Sequence, residues 1–120
     1  MPHLSIEYTN NLPGFDAGVC LAEINAALAA SGHFDECDIK SRAFPVSEFR
    51  IGTNPLGRAF VSVELSILSG RSLEVRQELS ACVLECLARR MSNRSGLHVQ
   101  LSVEVLEIER ASYAKAVVGN

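Results

Sequence analysis

Apolar and polar residues alternate along four stretches of the chain and recur at helical spacing along two more. From His3 to Thr9 the apolar Leu4, Ile6 and Tyr8 alternate with His3, Ser5, Glu7 and Thr9, which predicts a strand with one face on a core. Asn10 to Gly14 is a turn cluster. Beyond it, Ala17, Cys20, Leu21, Ile24, Ala27 and Leu28 recur every three or four residues, the stripe of an amphipathic helix. That helix is expected to stop near Ser31-Gly32, since glycine accepts the left-handed conformation that closes a helix. Asp38 to Phe44 alternates again, with Ile39, Ser41 and Ala43 on one face and Lys40, Arg42 and Phe44 on the other. Pro45 is expected to end this strand, and Ser47 to Arg58, with Gly52, Pro55 and Gly57, to form an irregular connecting loop.

The second half repeats the plan. Ala59 to Leu68 places Val61, Val63, Leu65 and Ile67 inward and Ser62, Glu64 and Ser66 outward. Ser72 is a plausible N-cap for a helix whose stripe is Val75, Leu79, Cys82, Val83, Cys86 and Leu87, with Arg89 and Arg90 suited to its negative end and Ser95-Gly96 closing it. Leu97 to Val105 alternates as a further strand. The phase slips at Leu106, which predicts a bulge or a sheet edge there. Residues 110–120 carry little pattern and are expected to form a short arm reaching a neighbouring subunit.

Leu4-Ser5-Ile6-Glu7 recurs as Val61-Ser62-Val63-Glu64, an offset of 57 (61 minus 4). Each copy leads through a turn into a helix and back to a strand. The prediction is therefore an α/β fold: one domain over residues 1–120, made of two fused βαβ halves, approximately 2–44 and 59–108. Strands within each half are parallel, giving a four-stranded mixed sheet with both helices on one face. The uncovered face is expected to expose large apolar and small polar side chains over more than the few hundred Å² that monomers leave open, and so to pack against other subunits in a closed cyclic oligomer.

Composition narrows the function classes. The chain has 120 residues and is 48% apolar, enough for one two-layer core. A net charge of -3 and a pI near 5.6 argue against binding nucleic acid or a membrane surface through bulk charge. No apolar run approaches the ~18 residues of a membrane span, and the first residues lack a secretory signal, so a cytoplasmic setting is expected. The four cysteines, at 20, 37, 82 and 86, show neither CxxC spacing nor a disulfide framework. They are expected to be reduced, with Cys20, Cys82 and Cys86 acting as small buried hydrophobes. Cys82 and Cys86 with His33 or His98 fall short of a zinc motif, so neither a metal nor a cofactor is expected. Without tryptophan and with few other aromatics, the chain also lacks the makings of a base-stacking surface.

The candidate chemistry lies at the start. Methionine aminopeptidases trim before small second residues, so a chain opening Met1-Pro2 is expected to mature to one that begins with a secondary amine, a titratable base fixed to backbone. Within a chain the proline nitrogen is an amide with no proton to donate. Proline at position 2 is common, and alone it marks only a trimmed, stiff start. Lys40 and Arg42 share a strand face in an acidic protein; that suits a local anion site, or a sheet edge protected by charge.

Several segments together resemble the tautomerase superfamily, and within it most closely the 5-carboxymethyl-2-hydroxymuconate isomerases. They are Met1-Pro2-His3, Ala29-Ala30-Ser31-Gly32-His33-Phe34, Ile39-Lys40-Ser41-Arg42 and, most distinctively, Gly70-Arg71-Ser72-Leu73-Glu74-Val75-Arg76-Gln77. The resemblance spans roughly residues 2–108. It implies a homotrimer without a cofactor. Pro2 would be the general base moving a proton along an unsaturated 2-hydroxy or 2-oxo polycarboxylate, such as 5-carboxymethyl-2-hydroxymuconate of homoprotocatechuate degradation. Arg42 and Arg71 match the family's cationic positions. Lys40 stands where relatives carry arginine, keeping the charge but losing the planar bidentate fork. An apolar pocket and nearby cations would disfavour the ammonium form and leave free amine near neutral pH. His3 is expected to serve as a strand residue rather than a second base, and Phe44 and Phe60 either wall the pocket or belong to the core. Two alternatives stand beside this one: a tautomerase of an arylpyruvate-type 2-oxo acid, and a non-catalytic trimeric module that binds carboxylates.

Overall fold

The fold is known from a computed structural model, which describes residues 1–54, 56–91 and 96–119. Four strands, β1 (His3–Thr9), β2 (Lys40–Val46), β3 (Arg58–Leu68) and β4 (His98–Ile108), form one sheet in the order β2-β1-β3-β4. β1 runs parallel to β2, β3 runs parallel to β4, and the two central strands are antiparallel to each other. This is the expected pair of βαβ halves, set head to tail. Two helices, α1 (Ala17–Ala30) and α2 (Leu73–Met91), link the parallel pairs.

Strand periodicity decides which face is dry. Leu4 and Ile6 lie in register with Leu65 and Val63, and all four are buried, as are Ala59, Val61 and Ile67. Cys20, Ile24 and Leu28 of α1 and Leu79, Val83, Cys86 and Leu87 of α2 join them in one core. Asp16 caps α1 by accepting from the Val19 N–H at 3.1 Å, and Ser72 accepts from the Val75 N–H at 3.2 Å to start α2. Gly32, at φ +81°, adopts the backbone that ends α1. Gly96 is also left-handed, whereas Ser95, expected to close α2 with it, lies outside the described residues.

Leu65 faces Leu4 on one side and Val105 on the other and is fully buried. Leu65→Ala is expected to cost about 2–5 kcal/mol through lost burial and a residual cavity, read as a shift of the urea unfolding midpoint. An unchanged midpoint would show that the core does not close around this side chain.

Both ends of β2 need correction. β2 begins two residues later than predicted and runs through Pro45, which pairs with Tyr8. An edge strand tolerates proline because only one of its sides needs a donor. Asp38 instead ends a 3-10 turn, Glu36–Asp38. No bulge interrupts β4, whose register continues from Leu106 opposite Ser66 to Ile108 opposite Leu68. Of the two readings of the phase change, the sheet edge holds: β4 is an edge strand and Leu106 falls on its uncovered face. By register that face carries the polar Ser5, Glu7, Lys40, Arg42, Ser62, Glu64, Gln100, Ser102 and Glu104, interspersed with the large apolar Phe60, Leu68, Leu106 and Ile108 and half-exposed Phe44. After β4 the chain meets residues of its own protomer through Tyr113 and Lys115, in contacts described below, and Val117 and Val118 beyond them are exposed.

Candidate active site

Because the halves are antiparallel, β1 and β2 begin at the sheet end where β3 and β4 finish. Pro2 is buried there, with its carbonyl accepting from the Lys40 N–H at 3.1 Å. Met1 lines a cleft of about 330 Å³ whose walls include His33, Phe34, Asp38, Leu68, Arg71 and Arg110. Arg71 donates from Nη2 to the His33 carbonyl at 2.7 Å, and its guanidinium lies 4.7 Å over the Phe34 ring, a favourable cation–π contact. One donor and one face of the fork are thus fixed by the turn after α1. Arg110 is anchored through Nε to the Ser69 carbonyl at 3.2 Å.

Lys40 and Arg42 flank the same chain start from the uncovered sheet face. Lys40 lies in register with His3 and Arg42 with Ser5. Lys40 Nζ donates to the Asp38 carbonyl at 2.8 Å, while Arg42 Nη2 lies 3.2 Å from His3 Nδ1. The structure therefore gathers all three predicted cations around residues 1–3, but on two sides: Arg71 in the cleft, Lys40 and Arg42 across the strand. Neither Phe44 nor Phe60 lines the cleft. Phe60 meets Phe49 edge-on at the far end of β3.

His3 is fully engaged. Arginine can only donate, so Arg42 fixes Nδ1 as acceptor and leaves Nε2–H to donate to the Tyr113 oxygen at 3.1 Å. Burial lowers the His3 pKa, and Arg42, Lys40, the terminal amine and Lys115 lower it further. A neutral imidazole with both nitrogens occupied has no capacity to act as a second base.

The terminal amine, here that of Met1, is shaped by the same groups. Its nitrogen is 3.7 Å from Asp38 Oδ2. Burial pulls its pKa below the ordinary value; Asp38 opposes this, and Lys40 and Lys115 reinforce it. The Asp38 carboxyl is held below its usual range first by the hydrogen bond from Lys115 and then by the amine, so it stays ionised. Three of the cysteines are held as thiols at neutral pH: burial pushes Cys20 up to about 11 and raises Cys82 and Cys86 as well.

Sequence reasoning missed Arg110, Asp38, Tyr113 and Lys115 at this end. The missing signal is strand direction. Once β3 is known to oppose β1, the cations that follow β3 and β4 must arrive beside Pro2.

A larger cleft, about 680 Å³, lies at the opposite end of the sheet, with Phe49, Arg50, Asn54 and Arg58 in its wall. No chain terminus is among the residues that line it.

The family model for 5-carboxymethyl-2-hydroxymuconate isomerase matches residues 2–118. The chain is similar to the 5-carboxymethyl-2-hydroxymuconate Delta-isomerase of Escherichia coli, at 33% identity over 93 residues, covering 72% of this chain and 70% of that enzyme. It is also similar to the crystal structure of a 5-carboxymethyl-2-hydroxymuconate isomerase from Deinococcus radiodurans R1, at a TM-score of 0.89 and 32% identity, covering 96% of this chain and 88% of that one. A fused 4-OT symmetric trimer shares the fold at a TM-score of 0.76 and 15% identity, over 95% of this chain and 91% of that one. With its tautomerase fold and a match running almost from end to end, the chain is an isomerase and belongs to the 5-carboxymethyl-2-hydroxymuconate isomerase family.

Proposed function

We propose that the active chain begins at Pro2 and that its secondary amine is the general base of an enol–keto tautomerase. The substrate is an unsaturated 2-hydroxy or 2-oxo polycarboxylate of the 5-carboxymethyl-2-hydroxymuconate kind. The observation that carries this reading is the shared cleft: the residue preceding Pro2 lies in one cavity with two arginines, Arg71 and Arg110. Loss of Met1 opens space beside the new amine for the reacting carbons. Burial and the nearby cations favour the neutral amine, as they do for the Met1 amine. Free amine removes a proton from the dienol or its conjugated chain, and the resulting ammonium returns it to a different carbon. Arg71, with Arg110 beside it, binds one carboxylate and the developing enolate charge from the cleft. Lys40 and Arg42 meet a second carboxylate from the sheet face. The reaction needs no cofactor, since a single base carries the proton both ways.

We also infer a homotrimer like that of the fused 4-OT structure, with the uncovered sheet face as its packing surface, and a cytoplasmic setting, to which four free cysteines are suited.

A substrate panel tests the substrate class. Ketonisation of 2-hydroxymuconate-type dicarboxylic dienols, followed by absorbance, is expected to proceed with kcat/KM about 10²-fold above that for arylpyruvates, because each additional paired carboxylate contributes a charge-assisted contact of about 1.5–3 kcal/mol. Equal or better turnover of the monocarboxylates would overturn the polycarboxylate assignment and favour the arylpyruvate alternative.

A further inference from the structure

The C-terminal segment contacts His3 at the chain start and Asp38 of the 3-10 turn, through side chains two residues apart. After β4 a 3-10 turn, Arg110–Ser112, reverses the backbone. Tyr113 then meets His3 Nε2 at 3.1 Å, and Lys115 Nζ donates to Asp38 Oδ1 at 2.7 Å. The other oxygen of the same carboxylate, Oδ2, faces the terminal amine at 3.7 Å. One carboxylate therefore stands between two cations, one of them the group on which the proposed chemistry depends.

We infer that Lys115 is a positioning residue for proton transfer: by engaging Asp38, it prevents that carboxylate from holding the terminal amine in its protonated, inactive form. This rests on the assignment of the Pro2 amine as base. Removing Met1 moves the amine one residue inward, by less than the ~3.8 Å between successive Cα atoms, so Asp38, 3.7 Å from the Met1 amine, remains within the ~8–10 Å over which charges act in physiological salt, with Lys115 bonded to it. The groups facing the amine are Asp38 from the 3-10 turn, Lys40 from β2, neutral His3 backed by Arg42, and Lys115 from the C-terminal segment. His33, Asp35, Arg71 and Arg110 line the adjoining cleft. Asp38 is the nearest anion to the amine and Lys115 its strongest partner, since the Lys115 hydrogen bond is the first cause of the lowered Asp38 pKa.

The sign follows directly. Without Lys115, the amine loses one nearby positive charge and faces a less neutralised Asp38; both changes favour ammonium, so the acid limb of kcat/KM moves to higher pH. Without the Asp38 charge, the limb moves to lower pH. The test compares pH profiles of processed wild type, Lys115→Met, Lys115→Arg and Asp38→Asn, together with NMR titration of protein carrying ¹⁵N-proline. Lys115→Met is expected to lower kcat/KM about threefold on the acid limb while keeping the high-pH plateau. Asp38→Asn should raise it on that limb, and Lys115→Arg should match wild type; the amine titration should move in the same directions. Shifts of the same sign in Lys115→Met and Asp38→Asn, or a lowered plateau with an unmoved limb, would make the contact merely structural. A wild-type limb that stays in place in both variants overturns the role of Lys115 alone, whereas a wild-type profile with no such limb overturns the Pro2 assignment beneath it.

Discussion

Protein that retains Met1 is expected to turn over a dienol substrate about 10²- to 10⁴-fold more slowly than protein that begins at Pro2, the range typical of a lost general base. With Met1 attached, the Pro2 nitrogen is an amide, and the amine of Met1 is displaced by one residue along the cleft it lines. The comparison uses an uncleaved and a cleaved amino-terminal extension, with intact mass confirming each start and ketonisation followed by absorbance. Pro2→Ala is an informative companion, because a processed alanine start keeps an amine while losing the ring. Its loss is expected to be smaller than that caused by blocking the nitrogen. Equal rates for blocked and unblocked chains would remove the amino terminus from the mechanism.

Arg71→Ala is expected to reduce kcat/KM by about 10²- to 10³-fold, or roughly 3–4 kcal/mol, as for removal of a donor aimed at developing negative charge. Arg71→Lys should recover only part of this, because an ammonium keeps the charge but not the planar fork. Arg71 also holds the His33 carbonyl and stacks on Phe34, so alanine loosens that wall of the cleft. Urea unfolding of each variant separates the effects: a loss of activity with the midpoint retained belongs to the charge. Undiminished kcat/KM in Arg71→Ala would exclude this side chain from substrate binding.

Much of this frame was legible because strands and helices impose different periods on a chain. Leu4/Ile6 and Val61/Val63/Leu65 could face only one way, and the 57-residue repeat implied a second unit like the first. What escaped notice depends on relations that periodicity does not carry. Pro45 looked like a terminator, yet at an edge its missing N–H costs no sheet bond. Leu106 looked like a slip because an apolar residue at the end of an edge strand can lie on the uncovered face. At the site, Pro2, Lys40, Arg42 and Arg71 were recognisable from local motifs and do meet around the first residues. The pairings of Tyr113 with His3 and Lys115 with Asp38, 110 and 77 residues apart, join polar side chains across most of the sequence. Only the direction in which β4 ends brings them together.

The internal repeat bears on how many bases of the proposed kind one chain can offer. The offset that relates the halves carries Pro2 to Ala59 and Met1 to Arg58 (58 minus 57 is 1), and Arg58 walls the larger cavity much as Met1 walls the smaller. Arg58 and Ala59 are joined mid-chain, however, and no trimming enzyme can unmask the nitrogen between them. On the proposed mechanism, tethering two similar halves in one polypeptide gives the chain one amino-terminal base, and the roomier twin has no loose terminus among the residues that line it.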